Sequence, residues 1–334
     1  MKAVVTGERT AGLKAMDELR PHDDWVVVKV VVAPMCAEYK QFVRGDTTEF
    51  AGHEAAGEVV AVDRPTHVAV GDRVVVMPLY SCGECWLCRR GDYIHCERDS
   101  IFLHRQEEGS ATMAEYLVKP DRLLIPIPDG VPYEHGAMAC CGLGASFGAL
   151  ERMAVTGDDT LLITGLGPVG LGGVINARFR GTRVIGVEPN PLRADLARTL
   201  GADLVVDPTD PDAVEQVRAA TGGRGPDKAV DCSGIVSAHR LCIDAVRRLG
   251  SIAFVGESWA ETPVVVSDDM IRKGLTLMGS WHYPMPKAPK LMEQIAQIGP
   301  QLDQLITHEF PLARIQDAWE TQASGRCGKV ILRP

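Results

Sequence analysis

The length and composition of the chain indicate a folded protein with more than one domain. Its 334 residues exceed one ordinary hydrophobic core, and its 46% hydrophobic and 24% charged content is typical of globular proteins, which excludes disordered and fibrous chains. The net charge of −9 comes without a basic stripe, and neither a signal peptide nor the ~18 apolar residues of a membrane helix can be found. We therefore expect a cytoplasmic protein that binds neither nucleic acid nor membranes.

Short valine-rich segments dominate the N-terminal part of the chain. WVVVKVVV, GEVVAV and DRVVVM are separated by Gly, Pro and Asp, and this pattern continues to about residue 145. Alternating β-prone segments and turn residues of this kind predict a β-rich domain.

Four cysteines in this region have the spacing C-x2-C-x2-C-x7-C: Cys82, Cys85, Cys88 and Cys96. Four thiolates gathered by a short loop predict a closed tetrahedral zinc site, which is structural because it has no open coordination position. Its binding energy would fold a loop that has no apolar core of its own. The alternatives are an iron–sulfur cluster, whose usual final spacing is shorter, and ordinary buried thiols.

From Asp159 the pattern changes to alternating strand-like and helix-like segments. TLLIT, PVGLGGVINARFR, RVIGVE, PLRADLARTLGA and DLVVD are followed by KAVDCSG, SAHRLCIDAVRRLG, SIAFVG and LTLMGS. Such alternation is typical of a parallel sheet with crossover helices, and about six strands fit the doubly wound arrangement. The predicted class is therefore α/β.

A glycine-rich loop follows the first of these strands: Gly165, Leu166, Gly167, Pro168, Val169 and Gly170. Gly165 permits a tight turn, Gly167 lets the backbone approach a pyrophosphate, and Gly170 permits close packing of helix on strand. The helix N-terminus offers N–H groups to the phosphates. The alternative is a strand-to-helix turn that binds nothing.

The end of the next strand carries the acidic residue Glu188. A carboxylate there can accept hydrogen bonds from the adenosine ribose and would repel a 2′-phosphate, which favours NAD over NADP. Arg193 lies close enough to leave NADP open. Cys232-Ser233-Gly234 and Gly256-Glu257 end later strands, so they either line the nicotinamide half of the site or are ordinary turns.

Together, these motifs resemble the zinc-containing medium-chain dehydrogenase/reductase family of alcohol and polyol dehydrogenases. The resemblance rests on the four-cysteine segment, on Gly52-His53-Glu54 with Cys36 upstream, and on the glycine loop with Glu188. It implies a GroES-like catalytic domain of residues 1–148 and 287–334 and a Rossmann NAD-binding domain of residues 149–286. It also implies a homodimer or homotetramer.

The resemblance further implies a catalytic zinc. Cys36 and His53 match two of the family's ligands, and the run after Cys141 resembles the run after the family's third ligand, which selects Cys141 over Cys140. Two thiolates and an imidazole leave a fourth position for water or substrate. Glu54 matches a carboxylate that approaches the metal when a ligand exchanges. Singly, His53 and Cys36 would be ordinary buried residues.

The chain departs from the family beside its first ligand. The family usually has a hydroxyl residue and then an aspartate two and three positions after the cysteine, where this chain has Glu38 and Tyr39. Glu38 could be a general base, a group that binds a polar substrate, a zinc ligand or a solvated loop carboxylate. Trp281, His282 and Tyr283 could shape a pocket or an interface, or simply pack.

These features predict an enzyme that transfers hydride between a secondary alcohol and NAD with the help of zinc. Glu38 and Tyr39 favour a sugar, polyol or cyclitol as the alcohol, and the product would be the matching ketone. The alternatives are an NAD(P)H-dependent reductase of conjugated double bonds and a nucleotide-binding relative without catalysis.

Overall fold

A computed structural model describes residues 2–48, 51–98 and 111–334 of the chain. It divides into two compact units, one of Met1–Gly142 with Tyr283–Pro334 and one of Leu143–His282. The predicted domain boundaries lie at 148/149 and 286/287, a few residues away.

The strands in the described residues are β1 (Lys2–Gly7), β2 (Thr10–Ala15), β3 (Trp25–Pro34), β4 (Ala55–Ala61), β5 (Arg73–Val76), β6 (Tyr116–Pro120), β7 (Leu124–Pro126), β8 (Thr160–Thr164), β9 (Arg183–Val187), β10 (Leu204–Val206), β11 (Lys228–Asp231), β12 (Ser251–Phe254), β13 (Thr276–Gly279), β14 (Ile306–Pro311) and β15 (Lys329–Arg333). The α-helices there are α1 (Tyr39–Arg44), α2 (Trp86–Arg89), α3 (Tyr133–Ala137), α4 (Gly144–Arg152), α5 (Pro168–Phe179), α6 (Pro191–Thr199), α7 (Ala213–Ala219), α8 (Val236–Ala245), α9 (Ala288–Ile295), α10 (Gly299–Leu305) and α11 (Ile315–Ala323). Val266–Arg272 forms a π-helix, and short 3₁₀ turns lie at Tyr93–His95, Asp121–Leu123, Met285–Lys287 and Leu312–Arg314.

The first unit is built on a seven-stranded sheet in the order β14-β15-β3-β4-β5-β7, in which β6 also pairs with β3. β3 pairs antiparallel with β4, β6 and β15, and its valines are mostly buried because they face the core of the unit. Trp319 of α11 stacks on Phe42 of α1 in this core, with ring centroids 5.8 Å apart. The C-terminal segment therefore completes the N-terminal domain.

The second unit is a six-stranded parallel sheet in the order β10-β9-β8-β11-β12-β13. This order is the doubly wound Rossmann arrangement and confirms the fold predicted from the alternating segments. The central strand β8 is an apolar run because it is covered on both faces, as parallel strands usually are. Among the described residues, none of the helices is both long enough and apolar enough to cross a membrane.

A matched pair of leucines tests the core of the second unit. Leu171 in α5 is fully buried, whereas Leu192 in α6 is 54% exposed. Leu171→Ala leaves a cavity, so we expect it to lower the free energy of unfolding by about 2–5 kcal/mol, whereas Leu192→Ala should change it by less than about 0.5 kcal/mol. Urea unfolding followed by circular dichroism measures both, and equal effects would contradict the assigned packing.

Candidate metal and dinucleotide sites

Four side chains from three distant segments meet in one cluster of the first unit: Cys36, His53, Glu54 and Cys141. One ligand atom of each lies within 4.8 Å of the others, and His53 Nε2 is 3.3 Å from Cys141 Sγ. The structure thus brings the three predicted zinc ligands together with the predicted neighbouring carboxylate.

The backbone around the cluster explains how these residues meet. Met35 N donates to Val330 O at 2.9 Å, which holds the segment of Cys36 beside β15, and Gln322 Nε2 donates to Cys36 O at 2.5 Å. Gly52 has φ +90°, and a Cβ there would lie 2.5 Å from Thr112 Oγ1. A glycine is therefore required immediately before His53.

The two adjacent cysteines point to different surroundings. Cys141 N donates to Glu54 Oε2 at 3.1 Å, and the Cys141 thiol joins the cluster. The Cys140 thiol donates to Val76 O at 3.3 Å, and burial raises its pKa well above the usual value. The geometry therefore offers Cys141 to a metal and leaves Cys140 as a buried core thiol.

A buried ion pair supports Glu54 from behind. Lys329 Nζ lies 2.8 Å from Glu54 Oε1, and both side chains are fully buried. Burial raises the pKa of Glu54 to about 8, although Lys329 opposes this shift. Burial would lower the pKa of Lys329, but Glu54, Cys36 and Cys141 raise it, so Lys329 is the fixed cation of the cluster.

The thiols and the imidazole of the cluster influence each other's protonation. A hydrogen bond with Cys141 lowers the pKa of Cys36 well below its usual value despite burial, and the same bond raises the pKa of Cys141. Burial opposes protonation of His53, but Glu38 and Cys36 outweigh it and raise the pKa of His53. Two thiols and one imidazole, of which Cys36 already favours the thiolate, are a donor set that suits zinc.

Glu38 and Tyr39 lie in different surroundings. Glu38 Oε1 is 2.5 Å from His53 Nδ1, and Oε2 accepts from Cys36 N at 3.1 Å, whereas Tyr39 packs against the hydrophobic core. With its side chain only 15% exposed, Glu38 is not a solvated loop carboxylate, and it is not part of the metal-ligand cluster. These two side chains therefore do not support the expectation of a polar substrate.

The four cysteines predicted to bind a structural zinc form a second cluster, which we call the four-cysteine lobe: Cys82, Cys85, Cys88 and Cys96. Sγ–Sγ distances of 3.8 Å for Cys82–Cys88 and 3.4 Å for Cys85–Cys88 are near the ~3.8 Å edge of a tetrahedron with Zn–S bonds of about 2.3 Å. Backbone N–H groups of Cys88 and Glu97 lower the pKa of Cys85. Contrary to the expectation of a coreless loop, Tyr93 and Ile94 are buried here.

The glycine loop has the geometry of a phosphate-binding turn. Gly165 has φ +78°, and a Cβ there would lie 2.6 Å from Ser233 Cβ. A Cβ on Gly170 would lie 2.0 Å from Gly165 O, whereas one on Gly167 would meet nothing within 4 Å. Pro168 and Val169 begin α5, so the open space at Gly167 lies beside a helix N-terminus that can bind phosphate.

Glu188 lies at the end of β9 beside this loop. Its Oε2 accepts from Leu166 N at 2.7 Å and its Oε1 from Asn190 N at 3.0 Å, which fixes the carboxylate within the turn. Arg193 lies in the first turn of α6, which Asn190 caps. These contacts keep an anion next to the glycine loop.

Asp231, which the sequence did not single out, organises the ends of three strands. Its carboxylate accepts from Thr164 Oγ1 at 2.7 Å, Ser233 Oγ at 2.6 Å and Gly234 N at 2.9 Å, and its carbonyl accepts from Gly256 N at 3.0 Å. The side chain is completely buried. It thereby fixes the two turns predicted to line the cofactor site.

These predicted turns lie close together. A Cβ on Gly256 would lie 2.3 Å from Gly234 N, and a Cβ on Gly170 would lie 3.6 Å from Cys232 Cβ. Burial raises the pKa of the Cys232 thiol well above its usual value. Of the aromatic triplet, Tyr283 is buried and donates to Ala139 O at 2.9 Å, so it is a packing residue of the first unit.

The buried pair Lys329–Glu54 makes a stability prediction. Above the Glu54 pKa of about 8, Lys329→Met removes the cation and leaves the ionised Glu54 buried without it, so we expect the free energy of unfolding to fall by about 3–5 kcal/mol. In the double variant Lys329→Met/Glu54→Gln the carboxylate is gone, so much of this loss should be recovered. Urea unfolding of the three proteins decides, and a double variant no more stable than Lys329→Met would contradict the pairing.

Comparisons with known proteins agree with this geometry. Residues 22–129 match the family described as alcohol dehydrogenase GroES-like domain, and residues 168–297 match the family described as zinc-binding dehydrogenase. The erythritol/L-threitol dehydrogenase of Mycolicibacterium smegmatis is 33% identical over 84% of this chain and 78% of its own length. The L-threonine 3-dehydrogenase of Pyrococcus abyssi is 30% identical over 96% of this chain and 94% of its own.

A solved structure is also similar over the full length. The alcohol dehydrogenase TADH from Thermus sp. ATN1 superposes with a TM-score of 0.92 at 25% identity, covering 100% of both chains. The predicted GroES-like and Rossmann fold is thereby confirmed. This chain belongs to the zinc-containing medium-chain alcohol dehydrogenase family and is an oxidoreductase.

Proposed function

We propose that this enzyme uses zinc to transfer hydride between a secondary alcohol and NAD. The observation that carries the proposal is the convergence of Cys36, His53 and Cys141 in one half-buried cluster. Three protein ligands are what catalytic zinc sites use, because a fourth position must remain for the reacting oxygen.

The residues fit a zinc ion in their distances as well as their chemistry. A tetrahedral ion with Zn–N of about 2.1 Å and Zn–S of about 2.3 Å separates the two ligand atoms by ~3.6 Å, and His53 Nε2 is 3.3 Å from Cys141 Sγ. Zinc bound there would supply a Lewis acid that polarises an alcohol or carbonyl oxygen. Lys329 Nζ, 2.8 Å from Glu54 Oε1, holds the Glu54 side chain beside the ligands. We assign the second zinc, a structural ion, to the four-cysteine lobe.

We assign the preference for NAD over NADP to Glu188. Its carboxylate is fixed against the glycine loop by two backbone N–H groups, and a 2′-phosphate would bring a second anion to the same place. Arg193 adds one positive charge to the first turn of α6, so the preference is a measurable ratio rather than an absolute exclusion.

The relatives support a hydroxylated substrate. One is named for erythritol and L-threitol, which are polyols, and another for L-threonine, which carries a secondary hydroxyl group. We propose a polyol, sugar or cyclitol of this hydroxylated class, oxidised to the ketone.

The cysteines support a proposed location in the cytoplasm, and exposed apolar side chains support a proposed homo-oligomer. All ten cysteines are thiols, as expected in the reducing cytoplasm, where we place the enzyme. Trp259, Val266 and Ile271, all more than half exposed, precede the edge strand β13. Large exposed apolar side chains of this kind support a homodimer or homotetramer.

Adjacent cysteines provide a matched test of the catalytic metal. Cys141→Ala should hold about one zinc per chain instead of about two and lose more than about 100-fold in NAD reduction with a panel of polyols. Cys140→Ala should keep both metals and its turnover, because its thiol lies outside the cluster. Elemental analysis and NADH absorbance measure these quantities.

The same assay separates the alternative functions. Full turnover in a Cys36→Ala protein that lacks the catalytic zinc would overturn the proposal. NADH consumption with enones but no reaction with saturated alcohols would instead identify a double-bond reductase. Tight NADH binding without turnover on any alcohol would identify a non-catalytic relative.

Replacing the acidic residue at the ribose position tests the cofactor assignment. Glu188→Ala removes hydrogen bonds to a charged acceptor, so the ratio of kcat/KM for NAD to that for NADP should fall by about 10–100-fold. Glu215→Ala, an exposed carboxylate on α7, serves as the control and should leave the ratio unchanged. A ratio that Glu188→Ala does not alter would contradict the assignment to this residue.

A further inference from the structure

The side chain of Glu38 contacts polar groups of two residues of the metal cluster, although Glu38 is not one of the cluster's own residues. Oε1 lies 2.5 Å from His53 Nδ1, although the angles fall outside the usual range for a hydrogen bond, and Oε2 accepts from Cys36 N at 3.1 Å. One oxygen is therefore directed at the His53 ring and the other at the backbone of Cys36.

The contact at Nδ1 decides which nitrogen of His53 is available. A neutral imidazole carries one proton, and a carboxylate at Nδ1 favours the proton there. Nε2, which is 3.3 Å from Cys141 Sγ, then presents its lone pair to the cluster. A carboxylate in this arrangement fixes the ring orientation and makes the imidazole a better ligand.

The adjacent residue shows why Glu38 has this position. Glu38 has φ −58° and ψ −21° immediately before α1, and in such helical backbone the next side chain points about 100° away. Tyr39 accordingly packs against the core of the first unit, with Phe42 of the same helix buried there. Position 38 faces His53, and position 39 faces the hydrophobic core.

We propose that Glu38 is a positioning residue that holds His53 in the tautomer and orientation required for metal binding. It does not act as a general base, a substrate-binding group or a zinc ligand. This inference rests on the proposed zinc function. Its two oxygens lie against His53 Nδ1 and Cys36 N, so a role at the imidazole is the one that its contacts support.

Metal affinity distinguishes the roles without measuring activity. Glu38→Ala should weaken zinc binding at the Cys36–His53–Cys141 site about 10–100-fold in competition with a chromogenic chelator, whereas the four-cysteine lobe keeps its metal. Glu38→Gln should weaken it less, because the amide oxygen still accepts a hydrogen bond. Glu58→Ala, an exposed carboxylate on β4, is the control for loss of one negative charge.

Two further readouts report on His53 directly. In the wild-type protein the nitrogen NMR signals of His53 should show Nδ1 protonated, and Glu38→Ala should lose this preference. The visible spectrum of the cobalt-substituted protein should shift in Glu38→Ala before any substrate is added, because the ligand field changes. A general base or a substrate-binding group would change neither signal.

A shorter carboxylate at the same position provides a rescue test. Glu38→Ser should lose metal affinity as Glu38→Ala does, whereas Glu38→Asp keeps a carboxylate on the side that faces His53 and should recover part of it. Circular dichroism confirms that each variant folds.

The outcomes separate this inference from the function itself. A wild-type protein that binds only the metal of the lobe would end both. Two bound metals, with an unchanged affinity and an unchanged cobalt spectrum in Glu38→Ala, would overturn the role of Glu38 alone. Lost turnover with unchanged metal binding would assign Glu38 to the substrate or to proton transfer.

Discussion

The structure of the first unit depends on keeping several ionisable groups together at one partly buried site. Cys36, Cys141 and Glu54 each become anionic when they lose a proton, and charges of one sign cannot be gathered at such a site without compensation. Lys329 supplies a fully buried cation from β15. Because β15 pairs with β3, the C-terminal strand that completes the sheet also delivers this cation. The pairing of β15 with β3 and the placement of the Lys329 charge at the site therefore depend on each other.

In the second unit, the structure depends on tight turns that leave backbone N–H groups exposed at the end of a buried sheet. Gly165 and Gly170 allow the loop to turn tightly against the neighbouring strands. Asp231 links the ends of β8, β11 and β12 through its carboxylate and carbonyl. A buried carboxylate satisfied by several donors fixes turns that would otherwise be mobile, and fixed turns lose less entropy when they bind a ligand.

Local sequence patterns predicted the strands and helices, but they could not predict contacts between residues that are far apart in the sequence. Alternating segments sufficed for the parallel sheet, because a strand and a crossover helix each carry their own periodicity. Lys329 and Gln322 lie 275 and 286 residues from their partners Glu54 and Cys36, so no spacing relates them. The one available signal was a lysine that opens the apolar strand KVILR. The orientation of the Glu38 side chain also could not be predicted from the sequence, because it depends on the residue at which α1 begins.

The replacement of a hydroxyl by Glu38 has a consequence for proton movement that follows from geometry. The Glu38 carboxylate lies against His53 Nδ1 and Cys36 N. If this carboxylate took up a proton, it would lose the negative charge that favours a proton on His53 Nδ1, so proton transfer and support of the imidazole compete for the same group. In the proposed reaction we therefore expect the proton to leave through groups other than Glu38, while Glu38 keeps the imidazole in place.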